Sequence, residues 1–98
     1  MDDAVTVIRD ETQVYGDGTV ASVRVLSVPE SDRFPDGLKY SFHYGRAEGD
    51  APIIRFDNHH GSHDLHVGSQ RFDVDFPGLE ATYRAWRSTL PDDKREDW

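Results

Sequence analysis

The stretch RFDNHHGSHDLHVG, residues 55–68, holds four of the chain's five histidines, His59, His60, His63 and His66, within eight positions. Asp57, Asp64 and Asn58 lie among them. Imidazoles titrate near pH 6.5, so two of them flanking a phosphodiester could take the proton from a 2′-hydroxyl and give one to the leaving oxygen, with no metal required. Asp57 or Asp64 would orient one ring by accepting its N–H, and Arg55 or Arg71 would hold phosphate. A second reading is metal ligation, because His60, His63 and His66 are spaced three apart and neutral imidazoles suit zinc, nickel or copper. That spacing aligns side chains only on a helix, and Asn58, Gly61 and Gly68 oppose a helix. The third reading is structural: polar residues close the strand ends, and one or two histidines pack on aromatic rings. The candidate set is therefore His60, His63, His66 and Asp57 for catalysis and Arg55, Asn58, Arg71 and Lys39 for substrate binding, with no metal or other cofactor. His43 stands apart on the polar face of a strand and reads as an isolated surface histidine.

The elements that must position this turn are legible in the period of the apolar residues. AVTVIRDETQVYGDGTVASVRVLSVPES predicts two strands around a Gly-Asp-Gly turn. In the second of them Val23 and Val25 share one face and Leu26 and Val28 the other, which predicts a bulge near residue 25 or a strand buried on both sides. After the loop PESDRFPDG, the run LKYSFHY alternates strictly, with Leu38, Tyr40, Phe42 and Tyr44 on one face and Lys39, Ser41 and His43 on the other. GRAEGDAP predicts a turn, and IIRFD a strand paired with its predecessor, Ile54 and Phe56 inward. A short extended run follows at DLHV. RFDVDF alternates again, placing Phe72, Val74 and Phe76 together. Asp75 is the expected N-cap of a helix with Pro77 in its first turn. Leu79, Tyr83, Trp86 and Leu90 form that helix's single apolar stripe. The expected fold is α+β: an antiparallel meander of five to six strands with a C-terminal helix on one face. Residues 1–91 form one domain, and PDDKREDW, residues 92–98, is expected as a frayed charged tail.

The totals bound the function. A 98-residue chain with 36% hydrophobic residues builds one modest core. The absence of cysteine excludes disulfides, zinc thiolates and thiol catalysis. No apolar run approaches the ~20 residues of a membrane helix, and MDDAVTVIRDE lacks a basic n-region, so a cytoplasmic location is expected. Fourteen of the nineteen acids are aspartate, nine of the eleven bases are arginine, and the formal net charge is −8. Such aspartate-rich, lysine-poor composition is typical of proteins from salt-loving archaea. At low salt it argues against nonspecific nucleic-acid binding. At 1 M ionic strength the Debye length is about 3 Å, and repulsion of an anionic partner is largely screened.

Taken in order, DGLKYSFHYGR, IIRFDNHHGSHDLH and FDVDFPGLEATYRAW resemble the TumE family of small toxins. The resemblance rests on Gly37, Leu38, Lys39, Tyr40, Tyr44, Gly45, Asp57, Asn58, Gly61, His63 and His66, within residues 36–90 or so. Phe56 stands where the family has tyrosine, and Asp64 and Leu65 where it has a basic residue. The resemblance implies a type II toxin encoded beside a helix-turn-helix antitoxin, and extends by analogy to cleavage of RNA. Implied partners are that antitoxin and RNA, with a homodimer open and no membrane. The alternative is a binding module without catalysis, a degenerate toxin that still grips its antitoxin.

Overall fold

The computed structural model describes residues 5–49 and 51–98. Six strands, β1 (Thr6–Val14), β2 (Thr19–Ser27), β3 (Leu38–Arg46), β4 (Pro52–Asp57), β5 (Asp64–Val67) and β6 (Gln70–Asp73), form one antiparallel sheet in chain order. Helix α1 (Leu79–Ser88) follows, and then a single turn, α2 (Asp92–Arg95). This is the α+β meander that the strand periods predict. The turn expected before β4 contains Asp50, which lies outside the described residues, as do the first four positions.

Successive side chains of a strand point to opposite faces, so one helix can cover only one of them. The covered face carries the core: Ala21, Val23 and Val25 of β2, Tyr40, Phe42 and Tyr44 of β3, and Trp86 and Leu90 from the helical segment. Ile54, Phe56, Leu79 and Tyr83 pack around it. The Phe42 ring meets Tyr83 edge-on at 5.7 Å and Trp86 at 6.1 Å. Both the alternation of β3 and the stripe of α1 thus stand as expected.

Three local expectations are corrected. β2 keeps a strict alternation, with Thr19, Ala21, Val23 and Val25 buried. The register shift lies across from it in β1, where Ile8 is inserted between the pairs Val7–Leu26 and Arg9–Val25. Leu26 therefore faces the side without the helix. The α1 cap is not Asp75: the helix starts at Leu79 behind Gly78, which has φ 122° and makes no side-chain cap. Pro77 therefore lies ahead of the helix and not in its first turn. Phe72 points to the helix side but remains 46% exposed, because α1 lies over β3 and β4 and does not reach β6.

Residues 92–98 are the third correction. They fold back on the β1–β2 turn and are not frayed. Lys94 is buried, and its ammonium donates to Asp17, to Thr19 Oγ1 at 2.9 Å and to the Tyr44 hydroxyl at 3.0 Å. Trp98 meets Trp86 edge-on at 5.3 Å and donates its indole N–H to the Tyr15 hydroxyl. Local charge composition cannot show this, because Lys94 finds its partners 50 to 77 residues earlier in the chain. The Lys94 ammonium, and then Thr19, hold the Asp17 carboxyl down to about 2 from 3.8. A depressed carboxylate stabilises the fold above its unfolded value, and that stability is lost as pH falls through the folded one. Urea unfolding between pH 5 and pH 2.5 should therefore show an acid-induced loss that shrinks in Lys94→Met, which removes the cation. An unchanged acid limb in that variant would show that the contact contributes nothing.

Candidate active site on the helix-free face

Cross-strand register assembles the other face of the sheet into two rows of polar residues. The first runs Ser22–His43–Arg55–His66–Arg71 across β2 to β6. The second runs Asp10–Arg24–Ser41–Asp57–Asp64–Asp73. Neighbouring strands lie about 4.8 Å apart, so each row is a line of side chains at adjacent positions. In the first row two imidazoles flank one guanidinium, and a second guanidinium follows.

Asp57 ties the rows together. It is 1% exposed, and its Oδ2 accepts from Arg55 Nε at 2.9 Å and lies 3.2 Å from His66 Nε2. The His66 contact is close but poorly aligned, and Nε2 is left without a formal hydrogen bond. The backbone N–H of His59 reaches Asp57 Oδ1 at 3.3 Å. Arg55 commits its Nε to the carboxylate, leaving its terminal amino groups for an anion. His43 is half-buried, and burial first, then the Arg55 charge, push its imidazole below its usual value. It is accordingly neutral at pH 7. Its ring lies over Gly45, where a Cβ would sit 3.1 Å from Nε2 and 3.3 Å from the Ile53 nitrogen. Beside these rows a cleft of about 260 Å³ is lined by Ser22, Arg24, Leu26, Lys39, Ser41 and His59.

The histidine turn does not converge. Asp64 and His66 face the polar rows, and alternation sends His63 to the helix side. There its ring stacks on Phe76 at 4.1 Å, and its Nδ1 shares a hydrogen bond of 2.9 Å with the Tyr40 hydroxyl, whose direction follows the ring's tautomer. Burial, reinforced by Asp57 and Asp64, raises the Tyr40 phenol, which stays protonated. His60 is exposed in the turn. That turn bends at Gly61, whose φ of +88° suits glycine and whose missing side chain lets Arg33 pack within 3.2 Å of the Cβ position. His60, His63 and His66 thus form no common site.

The predicted binding residues also divide. Arg55 and Arg71 lie in the first row, and Lys39 lines the cleft beside His59. Asn58 is 6% exposed and fully engaged: its Oδ1 accepts from Tyr40 N–H at 2.9 Å, and its Nδ2 donates to Leu38 C=O at 2.8 Å. It extends the β3–β4 ladder by one side-chain rung. His43, by contrast, belongs to the assembly that the sequence reading set it outside. Its outward position was readable from the β3 alternation, but its place beside Arg55 required the β3–β4 register.

A family model described as toxin TumE matches residues 3–92. The chain belongs to that family. An antitoxin partner goes with membership of a toxin family. No curated protein and no solved structure matches the TumE chain. Among the described residues no helix is long and apolar enough to cross a membrane.

The Asn58 contacts give a direct test of how this TumE face is held. Asn58→Ala leaves two β3 backbone groups unpaired, at about 1–3 kcal/mol each, and should lower stability by about 2–6 kcal/mol in urea denaturation. A loss below about 0.5 kcal/mol would show that water replaces the rung.

Proposed function

We propose that this toxin cleaves RNA by metal-independent acid–base chemistry on the helix-free face, with His43 and His66 flanking a phosphate held by Arg55 and Arg71. The observation that carries the reading is the first row itself, imidazole–guanidinium–imidazole–guanidinium in register across four strands. In the proposed step neutral His43 takes the proton from a ribose 2′-hydroxyl. The 2′-oxygen bonds to phosphorus, the bond from phosphorus to the 5′-oxygen breaks, and His66 gives that oxygen a proton. A 2′,3′-cyclic phosphate and a 5′-hydroxyl result. Asp57 supplies the carboxylate beside His66, and Arg55 offsets charge building on the non-bridging oxygens. His59, Lys39 and Arg24 line the adjoining cleft, where a neighbouring nucleotide fits. His63 and Asn58 support the turn, and exposed His60 is left to contact the strand beside it.

Charge supports an anionic substrate at this face. The four cations Arg24, Lys39, Arg55 and Arg71, with three imidazoles, stand against four aspartates, two of them buried, on a chain of net charge −8. In a cytoplasm rich in salt, as the aspartate excess suggests, repulsion from the rest of the surface is screened within a few ångströms, about 3 Å at 1 M. We further propose that the partner is a helix-turn-helix antitoxin that covers these rows, and that the edge of β1, unpaired among the described residues, is open to a second copy.

Removing a general acid or base typically costs 10²- to 10⁴-fold. His43→Ala and His66→Ala, expressed without antitoxin, should each lose growth arrest and at least ~100-fold of RNA cleavage, while Arg84→Ala on exposed α1 keeps both. Cleavage should survive chelator. Because His43 is held below 6.5, the acid limb of the rate profile should lie below pH 6.5 and vanish with His43. Folded His43→Ala and His66→Ala proteins that arrest growth as the parent does would end this reading.

A further inference from the structure

We propose that Asp57, Asp64 and His66 form a binding site for one divalent transition-metal ion of the zinc or manganese class. One potential ligand atom from each lies within 4.8 Å of the others. Asp57 and Asp64 are direct cross-strand partners at 1% and 0% exposure. Like charges placed opposite each other on adjacent strands repel, and a buried charge is costly unless compensated. Asp57 has Arg55 as its counter-charge. Asp64 does not have an equal one: its Oδ1 accepts only a long contact from Ser62 at 3.3 Å, and Arg71 Nη1 stands 3.8 Å from Oδ2 on a side chain that is 56% exposed.

Two buried atoms in this cluster lack hydrogen-bond partners, Asp64 Oδ2 and His66 Nε2. One is an anionic oxygen and the other an imidazole nitrogen. Both belong to one cluster of ligand-type atoms within 4.8 Å, with His66 Nε2 also 3.2 Å from Asp57 Oδ2, and together they are a candidate pair of ligands. Asp57 contributes an oxygen from the neighbouring strand, while Arg55 keeps its bond to Oδ2. Two carboxylates and one imidazole suit zinc or manganese better than magnesium, which favours oxygen ligands and retains its waters. Three protein ligands leave at least one position for water. The partly exposed His66 ring marks the way in.

The site stands on geometry independent of cleavage, and only its consequence rests on the proposed mechanism. An ion on His66 Nε2 withdraws that ring from proton transfer, so occupancy is expected to inhibit. The test titrates the full chain, stripped with chelator, with zinc chloride and then manganese chloride, following heat and thermal unfolding. The expected result is saturable one-to-one binding with a raised Tm for at least one ion. Asp64→Asn and His66→Gln, each with parental circular dichroism, should weaken it by more than the roughly 10- to 100-fold that loss of an outer-shell partner costs. Two variants guard against one failing to fold. No saturable binding, or parental affinity in both variants, overturns the site. Binding without any RNA cleavage would leave the site standing and remove the function proposed above.

Discussion

A strand turns alternate side chains to opposite faces, and among the described residues α1 is the one helix longer than a single turn with which to cover a six-stranded sheet. Everything else in the molecule is arranged around that shortage. Trp86, Leu90, Leu79 and Tyr83 are spent on β3 and β4, joined by Trp98. The other face must then be polar, and a polar face built in register produces rows. Arg55, set between His43 and His66, owes its neighbours to cross-strand pairing and to nothing local in the sequence. The site is in this sense a by-product of how a small chain solves its core.

The same constraint explains why the buried aspartates are the most demanding feature of the face. Asp57 and Asp64 sit where β4 and β5 pair at the mouth of the turn, under Arg55, His66 and Ser62. Buried ionic groups add little net stability, but removing one partner is strongly destabilising because the other is left uncompensated. The cluster is therefore held by the set and not by any single pair. Asn58 fixes the backbone immediately beyond, and the His63–Phe76 stack fixes the turn from the opposite side. Between them the fourteen residues that looked like one chemical unit are divided between the two faces of the sheet.

Much of this was readable from periods and spacings. The strict alternation of LKYSFHY gave β3 both its faces, and the four-three-four stripe of α1 gave the covering helix. Where expectation failed, the cause was interaction at a distance or a competing local signal. Lys94 looks like tail charge until Asp17, Thr19 and Tyr44 are brought beside it. The bulge was sought in β2 because Leu26 and Val28 break the apolar pattern there, but Ile8 in β1 carries it. The histidines looked convergent because they are close in sequence. The two-residue period of HDLHV already separates His63 and Leu65 from Asp64 and His66, and that signal was available. What no single strand could supply was the row that joins His43 to the site.

The central claim is that function resides in the rows of the helix-free face. It is tested most directly by following the histidine ring resonances of the isotope-labelled chain while adding a short RNA whose 2′-hydroxyls are methylated and so cannot attack. Saturable shifts at His43 and His66, with Arg55 side-chain signals moving in parallel and His63 unmoved, are the predicted result. Shifts confined to His63 and the α1 side, with His43 and His66 unmoved at saturation, would contradict it.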